Sequence, residues 1–347
     1  MEPSLFGFVH PFHHSPNAMN PRASSRRSTS AAAAAAAPAR GSQPHHGWHE
    51  YCDEAATTVA GELSRDGVVA LRRVLPPSIA AALATHVDVE LEKRKHEAAP
   101  ASTQCTDEEE VRKRRYASER WFGAVRDRRD RYDLRLSAEA PAVRDALQCL
   151  CSHISSLLEE VVTLDAFVVE LSALVSDPGA IRQPWHPDSL LPSLVGAPLY
   201  TCFVALQNVT SSMGPTRVLP GTHTEEFHRR FRDDGYKGRR ARQAAESCDE
   251  HMACECGDAF LMDSRLWHCG GSNQSGLRRR LLYVSFGVPH CVPAGSTYSI
   301  LDEYKQRLRV RALAGRRKAA AVGEAGTSGA GGREAEVGLE VGPPRHQ

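Results

Sequence analysis

The sequence has no surplus of charge of either sign. Its 347 residues include 43 Lys and Arg against 42 Asp and Glu, which gives a formal net charge of +1. Proteins that bind nucleic acid or anionic membrane surfaces do so through clustered positive charge. We therefore expect no nucleic-acid partner.

Long apolar runs are also missing. No stretch of the chain approaches the roughly 20 apolar residues that a helix needs to span a bilayer, so we expect no membrane span. Hydrophobic residues make up 41% and charged residues 24% of the sequence, as in an ordinary globular protein. The length allows one large domain or two small ones.

Regular cysteine motifs are absent, although the chain has ten cysteines. They are scattered and follow no secretory signal, so we interpret them as reduced thiols of an intracellular protein. Cys248, His251, Cys254 and Cys256 form one group with the composition of a zinc site. Their separations are tighter than those of a structural zinc site. This favours ordinary thiols, with metal binding as the alternative.

The N-terminal segment has almost no acidic residues. None occurs between Pro3 and Trp48, where Arg, Ser and Ala predominate. This composition is typical of an organelle transit peptide, and a low-complexity tail without function is the alternative. We expect residues 1–47 to be disordered, and also the Gly-, Ala-, Arg- and Glu-rich residues 315–347. The protein is then cytoplasmic, or plastid or mitochondrial if the tail is a transit peptide.

Residues 48–314 change character along their length, and we assign them to one domain. Apolar periodicity predicts helices over 79–94 and 141–162. From Phe167 onward, short apolar strands alternate with Gly and Pro turns, which is typical of a sandwich or barrel. We predict an all-β core with flanking helices, a double-stranded β-helix (jelly roll, cupin-like) at about 165–290.

Three segments are dense in charge. Residues 95–115 are interpreted as a surface loop or frayed helix, and residues 126–135 as a solvated, salt-bridged face. A basic rim for an anionic substrate is the alternative for the second. Residues 224–257 are predicted to form a helical insertion that covers a pocket mouth together with the first two.

One short motif indicates chemistry. Pro187 biases His186 toward an extended backbone, in which residues two apart share one face. The imidazole of His186 and the carboxylate of Asp188 can therefore converge on one point. Such a pair supplies two thirds of the facial triad of non-haem Fe(II) oxygenases. His-x-Asp is common by chance, so the motif alone does not establish an iron site. A second histidine and a residue that anchors the co-substrate are needed to support that interpretation.

Candidates for both lie further along the chain. His268 ends a predicted strand and is followed by Gly270 and Gly271, which allow close approach of another group; a hydrogen-bonded core histidine is the alternative. Arg279 opens a predicted strand on which it shares a face with Tyr283. A buried arginine needs an anionic partner, and a carboxylate bound in bidentate fashion fits best. A solvated basic cluster is the alternative.

Taken together, the segments resemble the phytanoyl-CoA dioxygenase family of Fe(II)/2-oxoglutarate-dependent oxygenases. The matching segments are Trp185-His186-Pro187-Asp188, the run Met-Gly-Pro-Thr-Arg-Val-Leu-Pro-Gly-Thr-His at 213–223, and His268-Cys269-Gly270-Gly271-Ser272-Asn273 followed by Arg279. The resemblance extends over about 61–286. Gly270 stands where some members have a serine that touches 2-oxoglutarate.

The resemblance implies a site for iron and for its co-substrate. Iron would be held by His186, Asp188 and His268. 2-Oxoglutarate would chelate the iron, with its distal carboxylate on Arg279 and with Phe203 in the place of the aromatic residue that often lies beside it.

The resemblance further implies a hydroxylase, because members that halogenate lack the carboxylate ligand and Asp188 is present. We expect it to act on a C–H bond of an unidentified small-molecule or lipid-like substrate, with release of succinate and CO2 and with ascorbate as an accessory reductant. A jelly-roll binding protein that has lost the chemistry is one alternative. A cupin-type metalloenzyme that does not use 2-oxoglutarate is another, although Arg279 argues against it. The sequence does not indicate an oligomeric state.

Overall fold

Two β-sheets organise the protein, which we describe from a computed structural model. The structure describes residues 47–315, with gaps at 101–106, 125–128, 190–198, 233–234, 236–237, 241, 244–246, 248–249 and 289–297. The strands described are β1 (Trp48–His49), β2 (Val68–Leu71), β3 (Arg131–Arg135), β4 (Phe167–Ser176), β5 (Tyr200–Ala205), β6 (Thr216–Val218), β7 (Glu250–His251), β8 (Ala259–Asp263), β9 (His268–Gly270) and β10 (Arg279–Gly287).

The larger sheet has the strand order β1-β2-β8-β5-β10-β4-β3, and the smaller one has the order β7-β6-β9. All neighbouring strands run antiparallel except β1 and β2. The predicted double-stranded β-helix is thereby confirmed. The described strands form two separate sheets rather than one closed barrel.

Helices precede, interrupt and follow the strands. Those described are α1 (Ala56–Asp66), α2 (Pro77–Ala98), α3 (Glu108–Trp121), α4 (Pro141–His153), α5 (Ser155–Val161), α6 (Glu225–Arg232) and α7 (Val310–Ala314). Their ends follow local chemistry: α2 begins with a proline, whose missing N–H is not needed in a first turn. The side chain of Asp107 caps α3 by accepting from two backbone N–H groups. None of the described helices combines the length and the hydrophobicity that crossing a membrane requires.

The core has two parts because the central strands are buried on both faces. On β5, Cys202 and Val204 pack into the core shared with α1, α2, α4 and α5. Their neighbours Phe203 and Ala205 point the other way and pack with residues of both sheets. Burial on both faces explains why these strands read as continuous apolar runs. The inner face of the larger sheet is the one that borders the site described below.

The predicted helix over 141–162 is two helices. Ile154, with φ −102° and ψ 16°, separates α4 from α5. The interpretation of 95–115 as a loop or frayed helix was wrong over much of its length, because α2 continues to Ala98 and α3 begins at Glu108. Apolar periodicity could not reveal α3, which buries no residue; pairs such as Arg115–Glu119 at 2.8 Å support it instead.

The interpretation of 126–135 as a solvated face was also wrong for its second half. Arg131 and Asp133 are 1% and 3% exposed, because β3 turns these side chains toward the interior. Within 224–257, α6 agrees with the predicted insertion, whereas β7 was not predicted and pairs with β6. The predicted tails at 1–46 and 316–347 lie outside the described residues, as does Cys248.

Candidate active site

His186, Asp188 and His268 lie together. One ligand atom from each falls within 4.8 Å of the other two, and this is the one such group of three His, Cys, Asp or Glu side chains found in the described part of the chain. Oδ1 of Asp188 is 3.8 Å from Nε2 of His186 and 3.6 Å from Nε2 of His268. Both histidines are buried, whereas the carboxylate is one-third exposed.

Backbone pairing brings the two parts of the chain together. His186 and His268 form an isolated antiparallel bridge, with N–H to carbonyl distances of 3.0 and 2.9 Å. Beside it, the Asp188 N–H donates to the Ser264 carbonyl at 2.9 Å. The expected strand around His186 is therefore reduced to a bridge, since the flanking prolines cannot donate to a ladder. The expectation that His268 ends a strand was wrong: it begins β9.

The two imidazoles are held in the same way. Nδ1 of His186 lies 2.8 Å from the Pro184 carbonyl, and Nδ1 of His268 lies 2.9 Å from the Leu266 carbonyl. A carbonyl only accepts, so each Nδ1 carries the proton and each Nε2 carries the lone pair. Metal-binding histidines are commonly held by such a bond from the other ring nitrogen. With the carboxylate, these residues fit the two-nitrogen, one-oxygen donor set of a non-haem Fe(II) site.

Arg279 is fully buried at the start of β10. Its Nη1 donates to the Gly214 carbonyl and its Nη2 donates to Oγ of Ser176 at 3.1 Å, whereas Nε has no partner among the described atoms. Burial, and then the nearby Arg131, hold the pKa of this guanidinium far below its usual value. None of the described carboxylates forms an ion pair with it, so the group fits a site for an anion.

Arg131 is the functional candidate that the sequence analysis missed. The sheet register places Arg131 and Arg279 on either side of Ser176, one on each neighbouring strand. Nη2 of Arg131 donates to the carbonyls of Ile181 at 2.8 Å and Gly271 at 3.1 Å. The alternation of charged and apolar residues along β3 was the available signal. The sequence analysis took the charged side of this strand to be exposed to solvent, whereas the structure places it in the interior.

Gly270 is packed tightly against this second arginine. A Cβ atom at Gly270 would lie 2.3 Å from Nη1 of Arg131 and 2.7 Å from Oε1 of Gln183. A side chain at this position, such as the serine of some family members, has no room unless Arg131 moves. The guanidinium therefore occupies the space that a serine would need.

A cavity of about 320 Å³ opens beside the three grouped side chains. Its lining residues are Ala124, Asp133, Glu170, Leu174, Gln183, His186, Pro187, Asp188, Thr201, Phe203, Thr216, His268, Gly270 and Tyr283. Phe203 stacks on Phe260 with ring centroids 5.0 Å apart, which fixes its position in the wall. Arg279 is not among the lining residues; its side chain is turned to Gly214 and Ser176.

Non-haem Fe(II) oxygenases are a class of proteins in which a jelly roll brings two histidines and an aspartate together. The fold and the site described above are those of this class. A sequence model of the phytanoyl-CoA dioxygenase (PhyH) family matches residues 63–281, which is more than half of the chain. The chain belongs to this family of Fe(II)/2-oxoglutarate-dependent oxygenases, so the resemblance seen in the sequence is confirmed. The membership implies Fe(II) and 2-oxoglutarate as cofactors.

Several solved structures are similar to the chain. AviO1 from Streptomyces viridochromogenes Tue57 is 20% identical, with 69% of this chain and 97% of that one covered and a TM-score of 0.45. The non-haem α-ketoglutarate-dependent carbocyclase SnoK from nogalamycin biosynthesis is 16% identical, with 67% and 83% covered and a TM-score of 0.46. The corresponding epimerase SnoN is 17% identical, with 68% and 83% covered and a TM-score of 0.43. Among curated proteins, none matches this chain.

The cysteine group at 248–256 does not resemble a metal site where it is described. Cys254 and Cys256 are free thiols, and burial raises the pKa of Cys254 to about 12. His251 is exposed on β7.

Proposed function

We propose that the protein is an Fe(II)- and 2-oxoglutarate-dependent dioxygenase that hydroxylates a C–H bond of a small-molecule substrate, with residues 48–314 as its catalytic domain. One observation carries the proposal. Two imidazoles with their Nε2 lone pairs available for coordination converge with the Asp188 carboxylate at the wall of a cavity of about 320 Å³.

His186, Asp188 and His268 would hold the iron. The carbonyl bonds to both Nδ1 atoms fix the ring planes and keep each imidazole in the tautomer that a metal requires. The partial exposure of Asp188 leaves its carboxylate accessible from the cavity. When bound, Fe(II) would supply the activation of O2, the oxidant: one oxygen atom enters the C–H bond of the substrate, and the other is taken up by 2-oxoglutarate as it is oxidised to succinate and CO2.

Arg279 and Arg131 would bind the co-substrate. 2-Oxoglutarate carries two negative charges, and two buried guanidiniums offset charge of that sign and size. Arg279 is assigned to the distal carboxylate, since its uncompensated charge and lowered pKa favour an anionic partner. Arg131 lies close to Gly270 and Gly271, beside β9, and adds positive potential there. Phe203 contributes apolar surface to the wall of the cavity.

The experiment measures metal binding and turnover separately. Mn(II) binding is followed by electron paramagnetic resonance, and succinate release is followed with Fe(II), O2, ascorbate and 2-oxoglutarate, with and without a metabolite mixture. Asp188→Ala is expected to weaken Mn(II) binding by at least tenfold and to abolish succinate release. His251→Ala changes an exposed histidine away from the site and serves as the matched control.

Two results would contradict the proposal. Succinate release that survives Asp188→Ala would remove the carboxylate from the assignment. Tight Mn(II) binding by the unmodified protein without any 2-oxoglutarate turnover would favour the binding protein that has kept the fold and lost the chemistry.

A further inference from the structure

The insertion helix α6 presents one apolar face to the rest of the protein. Phe227, His228 and Phe231 share that face because residues three and four apart lie on one side of a helix. His228 and Phe231 are 1% and 3% exposed. The opposite face is exposed and charged, and Arg230 pairs there with Glu226 at 2.5 Å. A helix of eight residues is too short to be stable alone, so its position depends on what its apolar face contacts.

The two proposed iron-binding histidines each follow a tryptophan, Trp185 or Trp267. Both indoles pack against the buried pair formed by Leu219 and Phe231. The rings of Phe231 and Trp267 are in direct contact, with centroids 4.1 Å apart. Successive side chains of an extended segment point to opposite sides, so an indole held on the outer side directs the following histidine inward. The cluster to which Phe231 belongs therefore holds the segments of both histidines.

The third proposed ligand is connected to the same helix through a turn. The Asp188 N–H donates to the Ser264 carbonyl at 2.9 Å. In that turn, Nε of Arg265 donates to Oδ1 of Asp263 at 2.8 Å. Nε2 of His228 lies 2.6 Å from the Arg265 carbonyl. Since a carbonyl only accepts, Nε2 carries the proton and donates, and the turn that holds Asp188 is thereby bound to α6.

The contacts of α6 set the positions of these segments, whereas the bond from each Nδ1 to a carbonyl sets the orientation of a ring within its own segment. Truncation of Phe231 leaves a void into which Trp267 can move, because protein interiors are close-packed. Loss of the donor at His228 leaves the Arg265 carbonyl without this bond. Either change shifts a ligand-bearing segment relative to the others, and groups that orient metal ligands affect metal affinity.

We propose that Phe231 and His228 are positioning residues, which hold the segments of His186, Asp188 and His268 at the separation that iron needs. Neither positioning residue is among those that line the cavity, and both act through the segments they hold. This inference rests on the proposed function and assigns the insertion helix a part in it. The geometry of the metal site then depends on an element outside the two sheets.

The test compares Mn(II) binding by the full-length variants Phe231→Ala and His228→Leu, followed by electron paramagnetic resonance. Each is expected to weaken Mn(II) binding about tenfold, at the low end of the effect of groups that orient metal ligands, and to change the Mn(II) spectrum. Phe231→Leu keeps an apolar side chain and His228→Gln keeps a donor, so both should bind Mn(II) within about threefold of the unmodified protein. Arg230→Ala alters the exposed face of the same helix and is the matched control.

Two further measurements separate positioning from a loss of stability. Leu313→Ala truncates a buried core residue of α7, and it should lower the melting temperature as Phe231→Ala does while leaving Mn(II) binding and the spectrum unchanged. In the unmodified protein, Mn(II) should slow hydrogen exchange of the α6 amides by about fivefold or more, because coupling between two sites is reciprocal. Asp188→Ala should abolish that protection.

Unchanged Mn(II) binding and an unchanged spectrum in Phe231→Ala or in His228→Leu would remove that residue from the assignment. The same result in both variants would overturn the inference and leave the proposed metal site intact, as would an equal loss of binding in Leu313→Ala. Exchange of the α6 amides at the same rate with and without Mn(II) would also contradict it. Failure of the unmodified protein to bind Mn(II) would instead remove the proposed function, and this inference with it.

Discussion

Replacement of Arg279 gives the sharpest measurement of the co-substrate site. Arg279→Gln removes a buried charge that we assign to the distal carboxylate of 2-oxoglutarate. Truncation of one partner of a buried, hydrogen-bonded charge pair costs about 2–5 kcal/mol. At about 1.4 kcal/mol per factor of ten, the Kd for 2-oxoglutarate should rise by roughly 30-fold to several thousandfold. The Kd of Arg279→Lys should lie between those of the unmodified protein and of Arg279→Gln, since an ammonium cannot bind a carboxylate in bidentate fashion.

The assay is calorimetric titration of 2-oxoglutarate into the Mn(II)-loaded protein without O2. Arg280→Gln is the matched control, because Arg280 is the next residue of β10 and its side chain bonds Asp88 at 2.6 and 2.7 Å on the other face. It should leave the Kd within about twofold, as a surface pair contributes little. An unchanged Kd in Arg279→Gln, or an equal loss in Arg280→Gln, would refute the assignment.

Arg279 should also lower the stability of the ligand-free protein. The pKa of Arg279 is held down by burial and by Arg131, which means that its charged form is disfavoured in the folded state relative to the unfolded one. That cost is fully present at neutral pH and lessens only as pH rises toward the usual arginine range. Arg279→Met should therefore raise the free energy of unfolding by about 1–3 kcal/mol in urea titrations. A loss of stability would contradict this.

Other substitutions test the packing around the site. Gly270→Ser should cost about 1–3 kcal/mol of unfolding free energy, since its Cβ would lie 2.3 Å from Nη1 of Arg131; an unchanged melting temperature would contradict this. Gly214→Ala should destabilise more than Gly221→Ala in thermal melts, because both have φ near +70° but only the first would meet a backbone carbonyl at 2.4 Å; equal losses would oppose the steric explanation. Asp133 has a raised pKa, so the folded state holds its proton more tightly and stability falls as pH rises above the usual aspartate range. Asp133→Asn should therefore gain stability relative to the unmodified protein from pH 4 to pH 8, and parallel curves in urea would speak against it.

Features set by short-range rules could be predicted from the sequence. The spacing of His186 and Asp188, the apolar runs of the central strands and the positions of turn residues all act over a few residues. The proximity of His268 could be anticipated only through the family resemblance, since it depends on backbone pairing between segments about 80 residues apart, as the bridge His186↔His268 shows.

The features that could not be predicted depend on which face of a sheet is exposed to solvent and which face points to the interior. β3 alternates charged with apolar residues, and the same alternation is typical of a strand with one solvated face. Only the tertiary arrangement shows that Arg131 and Asp133 are buried and that Asp133 lines the cavity. Likewise, the prolines near His186 leave one bridge where a longer strand was expected, because β pairing needs N–H groups that proline lacks.

The orientation of both histidine rings depends on main-chain acceptors two residues earlier, at Pro184 and Leu266. No replacement of a distant side chain can delete such an acceptor. The orientation of each ring is thus set within one tripeptide, which ends at His186 or at His268. It does not depend on the residues that line the opposite wall of the cavity. Substrate preference in this scaffold is consequently free to drift through evolution, or to be redesigned in the laboratory, without rebuilding the part that handles the metal.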